Sequence, residues 1–170
     1  DDKGVSNVNF CLYSANVSAQ AGAVPTVTGG YKLLIYGYHV AADVNLNSTI
    51  WDTAKATSGT YIKNDGSAGG TLSYKLADYM PYVTEICIKN LNGIDAAASV
   101  FTACKGSCAK IVFYDSSADS SSANRNKTIQ SLSGAVFSGM TKLQSVILPS
   151  AVTSLPASCF SGCTALTSVS

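Results

Sequence analysis

Ile129-Gln-Ser-Leu132-Ser-Gly-Ala-Val-Phe137-Ser-Gly-Met140-Thr-Lys-Leu143-Gln-Ser-Val146 is matched, without a gap, by Val152-Thr-Ser-Leu155-Pro-Ala-Ser-Cys-Phe160-Ser-Gly-Cys163-Thr-Ala-Leu166-Thr-Ser-Val169. Each apolar position returns 23 residues later. A fixed period in the twenties is the signature of a solenoid. One unit of this size has a single apolar edge and too little interior to hide it, so its burial must come from stacked neighbours. Within the unit, Leu143-x-x-Val146-x-Leu148 reads as a short strand whose alternate side chains point inward, and Pro149 stops it because proline cannot donate to a ladder. Leu155 and Phe160 bring the chain back to the core from the other side, and Ser161-Gly162 turns it toward the next strand.

The pattern Val-Thr-Ser-Leu-Pro-x-x-x-Phe-Ser-Gly-Cys-x-x-Leu-Thr-Ser-Val at 152–169 resembles the BspA-like leucine-rich repeat, a family found mainly on cell-surface and secreted proteins. The resemblance is specific over 129–170 and extends backward more loosely. Cys108-x-x-Ile111-x-Phe113 fills the strand positions of Leu143-x-x-Val146-x-Leu148, and Phe101-Thr-Ala-Cys104 stands for Phe137-Ser-Gly-Met140, with one extra residue before Cys108. Met80-x-x-Val83-x-x-Ile86-x-Ile88 repeats Met140-x-x-Leu143-x-x-Val146-x-Leu148 at an offset of 60. The expected fold is therefore mainly β, a leucine-rich-repeat solenoid. It has about four short parallel strands, near 83–88, 108–113, 143–148 and 166–170, joined by irregular or short helical returns.

Two units are expected: a β-rich N-terminal domain or solenoid cap over 1–75, and the solenoid over 76–170. Between the second and third strands, residues 115–127 form a polar run with no apolar anchor, which reads as a surface loop because burial cannot offset its ordering entropy. In the N-terminal part, Asn7 to Tyr13 and Tyr31 to Val40 are aromatic and β-branched enough for strands. Thr60 to Lys63 and Thr71 to Lys75 flank a glycine-rich loop and read as a hairpin. Thr49 to Lys55, with Trp51, suits one helical turn or a strand edge equally.

Composition narrows the function. Charged residues make up 12% of the chain, about half the usual fraction, so the surface is built from Ser, Thr, Asn and Gly. A net charge of +1 with scattered Lys and Arg gives no electrostatic footprint for nucleic acid or an anionic membrane. No stretch is long and apolar enough for a membrane span. The opening Asp1-Asp2-Lys3-Gly4 without an initiator Met suggests that something has been removed, and a last strand breaking off at Ser170 leaves Leu166 and Val169 in need of cover, from more chain or from a neighbouring subunit.

Catalytic groups are sparse. His39 is the only imidazole and sits in an aromatic stretch; Glu85 is the only Glu, placed between the inward positions Val83 and Ile86. Gly66-Ser-Ala-Gly-Gly70 lacks the lysine and helix of a phosphate loop. The Asn-x-Ser/Thr triplets at Asn16, Asn47 and Asn126 are about what the composition gives by chance. Six cysteines permit an oxidising compartment. Cys104 with Cys108 and Cys159 with Cys163 are each four apart, which suits local disulfides if the side chains meet; Cys11 and Cys87 would then tie the N-terminal part to the first coil. Free thiols are the alternative. The family resemblance implies that Cys104 and Cys163 are small buried residues stacked along the solenoid. The close pairs lie too far apart in sequence for a zinc site, and no metal or cofactor is expected.

The expected function is a non-catalytic extracellular or cell-surface module that binds a protein or glycan, as the resemblance implies. Its candidate surface is Lys142, Gln144 and Ile147, alternating outward from one strand, with Lys110 and Tyr114 on the previous coil. The alternative is a structural subunit of a filament, surface layer or virion, assembling with copies of itself through the end at Leu166 and Val169.

Overall fold

The computed structural model describes residues 7–14, 30–38, 60–63, 68–71, 76–89, 95–96, 100–114, 129, 131–149 and 151–170. It is mostly strand, with few helices. The strands in chain order are β1 (Asn7–Ser14), β2 (Tyr31–Tyr38), β3 (Thr60–Lys63), β4 (Ala68–Thr71), β5 (Val83–Lys89), β6 (Asp95–Ala96), β7 (Lys110–Tyr114), β8 (Ser131–Leu132), β9 (Ser145–Ile147) and β10 (Ser168–Val169). A single helical turn, α1 (Leu76–Tyr79), runs into a 3-10 turn at Met80–Tyr82, where Pro81 suits the first turn because its missing N–H would have no partner there.

One eight-stranded sheet has the order β10-β9-β7-β5-β2-β1-β3-β4. All pairings from β2 through β10 are parallel, whereas β1 runs antiparallel to β2 and β4 antiparallel to β3. The four strands expected from the repeat are β5, β7, β9 and β10, all neighbours and all parallel. β5 runs one residue past the expected 83–88, whereas β7, β9 and β10 are shorter than the spacing suggested: β9 begins only at Ser145, so Lys142 and Gln144 lie on the turn that enters the strand. The boundary expected near residue 75 is crossed by the sheet itself, since β2 pairs with β5 from Tyr31↔Val83 to Tyr36↔Lys89. The hairpin of β3 and β4 is tighter than expected, its second arm being Ala68–Thr71, within the glycine-rich stretch. Residues 39–59 and 115–128, with His39, Trp51 and the whole polar loop, lie outside the described residues.

Register explains the core. Leu33, Ile86, Ile111 and Val146 are joined across the sheet by successive pairings and are all buried. On the return side, Phe101, Phe137 and Phe160 stack as a column with ring centroids 5.5 and 5.1 Å apart and interplanar angles of 11° and 7°. The rings share one repeat position, so each coil sets its ring on the next, a spacing within the favourable range for offset aromatic pairs. Met80, Cys104, Met140 and Leu143 are fully buried in the same core cluster as the rings and the inward strand residues.

Turn geometry recurs with the sequence. Ala135 and Ser158 both have φ near +60°, at 61° and 60°, and Gly139 and Gly162 have φ of 77° and 76°. Met140 and Cys163 each donate to the carbonyl three residues back, as do Leu143 and Leu166. In the earlier coil, Cys108 N–H instead reaches four residues back, to Cys104 O at 3.0 Å. That wider turn accommodates the extra residue anticipated before Cys108.

Candidate functional site

The outer face of the sheet and the turns entering its strands carry the exposed polar groups. Carbonyls at one repeat position form an inter-coil ladder: Thr84 O accepts from Ala109 N–H, Ala109 O from Gln144 and Ser145 N–H, and Gln144 O from Thr167 and Ser168 N–H. Thr84, Ala109 and Gln144 are thus structurally equivalent, and so are Tyr82, Ser107 and Lys142, two residues earlier. Read down these two columns, Tyr82-Ser107-Lys142 and Thr84-Ala109-Gln144, the middle side chain is the smallest each time.

This alternation makes a groove. Its floor is Gly106, Ser107 and Ala109 of the middle coil, and its walls are Tyr82 and Thr84 on one side and Lys142 and Gln144 on the other. It is open to solvent and has a volume of about 340 Å³. The walls belong to coils separated by two strand spacings, roughly 10 Å. Gly106 owes its place to the wider turn of the middle coil, and a Cβ there would meet nothing within 4 Å.

Local strain holds one wall. Pairing shifts from Tyr31↔Val83 to Lys32↔Glu85, which leaves Thr84 as the extra residue of a bulge. Its hydroxyl donates to Tyr31 O at 3.3 Å. Gly30, at φ +71°, passes so close that a Cβ would lie 2.7 Å from Tyr82 O, a contact no side-chain carbon tolerates. Ser107 is likewise tied inward, its hydroxyl within 3.3 Å of both Met80 O and Cys104 O.

Of the residues singled out from sequence, Lys142 and Gln144 come together as a groove wall. Lys110 lies on the outer sheet face, its Nζ 3.6 Å from Glu85, while Lys32 approaches the same carboxylate at 3.3 Å. Glu85 therefore points outward between two lysines. Ile147 is 42% exposed on the outer face. Tyr114 ends β7, and its side chain lies outside the described residues. Leu166 is half-buried and Val169 is 42% exposed on the last coil. Sequence reasoning missed the floor and the Tyr82–Thr84 wall. The signal was the smallest side chain falling on the middle coil at two repeat positions, together with the extra residue noted before Cys108.

Cys104, Cys108, Cys159 and Cys163 are free thiols. A hydrogen bond to Cys108, followed by burial, holds the Cys104 thiol well above its ordinary pKa, and burial raises Cys159 and Cys163. Thiols kept protonated at neutral pH are poor nucleophiles. Cys104 is fully buried in the core, while Cys163 is half-buried and donates to Phe137 O at 2.9 Å. The Cys11–Cys87 bridge considered from sequence is corrected by register. Cys11 pairs with Leu34, which pairs with Cys87, so the two α-carbons stand two strand spacings apart, roughly 10 Å, beyond the reach of a disulfide. Among the described residues no group of three or more His, Cys, Asp or Glu is placed to hold a metal ion, and no helix is long and apolar enough to cross a membrane.

No curated protein and no solved structure matches the chain. A family model described as "BspA type Leucine rich repeat region (6 copies)" matches residues 106–170, which takes in the groove floor, the Lys142–Gln144 wall and both copies of the repeat. The parallel strands, the stacked phenylalanines and the recurring turns within this span all repeat with the sequence pattern. Over residues 106–170 the chain is thus similar to a BspA-type leucine-rich repeat region.

Proposed function

We propose that this chain is a non-catalytic binding module of an extracellular or cell-surface protein, a leucine-rich-repeat solenoid that engages a protein partner through the groove at the entry to its strands. The observation that carries this reading is the groove itself. Of three successive coils, the middle one presents the smallest side chain at the same two repeat positions, which makes a concave feature on an otherwise repetitive surface. Its volume of about 340 Å³ falls within the range of ordinary binding clefts. Repeat regions of this family suggest a surface or protein-binding role. No cofactor is called on in this reading.

The test is to screen the purified chain against a displayed library of secreted and surface proteins, and to repeat every saturable hit with Gly106→Phe. That substitution fills the floor without touching the fold, because its Cβ points into open space. Hits abolished by Gly106→Phe at unchanged thermal stability support the groove; hits that survive it reject the groove as the binding surface.

A second reading, assembly with copies of itself, is favoured by one observation. Leu155 and Val169 on the last coil are 50% and 42% exposed, while their repeat equivalents Leu132 and Val146 are buried. In this reading the end packs against a second copy. Light scattering over a concentration series tests it: self-association abolished by Val169→Lys supports assembly, and a monomer at all concentrations rejects it.

A further inference from the structure

We infer that the groove is selective for an acidic peptide segment, with Lys142 as the residue that takes the carboxylate. This inference rests on the binding reading above and names the chemistry of the partner.

Charge is the first argument. Among the described side chains, the charges on the outer face and around the groove are Lys32, Lys105, Lys110 and Lys142 against the carboxylates of Glu85 and Asp78. Lys32 and Lys110 share Glu85. Lys142 and Lys105 make no ion pair with a described residue; Lys105 lies along the next turn, its Nζ 3.5 Å from where a Cβ on Gly139 would stand. Among the described residues, lysines at this edge therefore outnumber carboxylates, although the chain as a whole carries only +1. Such a local excess steers and selects partners of opposite sign.

Hydrogen-bond polarity is the second argument. The two hydroxyls facing the groove spend their protons inward, Thr84 on Tyr31 O and Ser107 within reach of Met80 O and Cys104 O. The donors free to meet a ligand in the far wall are the Lys142 ammonium and the Gln144 amide, both exposed. A cation beside an amide suits a carboxylate and the adjoining peptide carbonyl. The partly exposed ring of Tyr82 and the small floor accept the apolar part of the same segment.

The full chain is titrated, by fluorescence anisotropy, into a fluorescein-labelled oligopeptide alternating glutamate with alanine, with the glutamine-for-glutamate peptide as the neutral comparison. The expected result is saturable binding of the glutamate peptide alone. It weakens as salt shortens the screening length from about 30 Å to about 8 Å. Lys142→Gln weakens binding several-fold, Lys142→Glu about tenfold or more, and Gly106→Phe abolishes it. Thr153→Glu, exposed on the return of the last coil, lowers net charge by the same single unit as Lys142→Gln and leaves binding unchanged. Equal binding of the two peptides, or equal loss in Thr153→Glu and Lys142→Gln, overturns the inference. So does binding of a neutral oligosaccharide that the glutamate peptide cannot displace. If the peptide fails while Gly106→Phe still abolishes capture of a library protein, the acidic specificity falls and the binding reading stands; if captured proteins survive Gly106→Phe, the binding reading itself falls.

Discussion

The coil at 129–149 and the coil at 151–170 share one sequence pattern and differ in what surrounds them. In the first, Phe137, Met140, Leu143 and Val146 are all fully buried. In the second, the equivalent Phe160, Cys163 and Leu166 are half-buried and Val169 is exposed. Backbone conformation hardly changes between them, down to φ values of 61° and 60° at Ala135 and Ser158. Local sequence thus sets the path of the coil, and the neighbour sets its burial. A repeat of this size contributes stability mainly through the faces it lends to adjacent coils.

The largest effect expected from this contrast is in paired truncations. Phe137→Ala removes the middle ring of a three-ring column and should cost about 3–5 kcal/mol, while Phe160→Ala, at the half-covered end, should cost less than half as much. Equal losses by urea denaturation would mean that the two coils are covered alike. Next in size is Gly30→Ala. Positive φ and the collision with the Tyr82 carbonyl should together cost about 2–4 kcal/mol and disturb the groove wall at Thr84. Gly139→Ala sharpens the comparison between turns: its φ is equally unfavourable, but the nearest atoms are the flexible end of Lys105, so the cost should be about 1–2 kcal/mol.

The smallest effect is a pH dependence. Cys104 has its folded-state pKa raised well above the ordinary thiol value of 9.0, because its proton is held by the hydrogen bond with Cys108 and by burial. A thiol raised in this way contributes stability fully below the unfolded pKa, and that contribution is lost as pH climbs from there through the folded pKa. Thermal melts should therefore fall on the alkaline side of pH 9, and Cys104→Ala should flatten that fall while lowering stability at neutral pH. An unchanged alkaline slope in the variant would place the titrating groups elsewhere.

Much of the repeat was legible because its apolar positions recur at fixed spacing, and that spacing alone locates β5, β7, β9 and β10. Strand ends were not legible: Lys142 and Gln144 read as outward strand residues, but β9 pairs with β7 only from Ser145, and the Gln144 and Ser145 N–H groups share the Ala109 carbonyl. The groove was half legible. Its Lys142–Gln144 wall was picked out for exposure and polarity, whereas the floor is made by what Gly106, Ser107 and Ala109 lack, and small residues show their purpose only when the coils are aligned in space. The continuity of β2 with β5 could not be read, because β2 carries no repeat pattern and its pairing is a long-range choice.

Native-state hydrogen exchange of backbone amides tests most directly the claim that burial and protection come from stacked neighbours. The account predicts that Gln144 N–H, bonded to Ala109 O beneath a covering coil, exchanges only on global unfolding, while its repeat equivalent Thr167 N–H, bonded to Gln144 O at a comparable distance, exchanges at least tenfold faster through opening of the last coil. Equal protection at the two amides would contradict it.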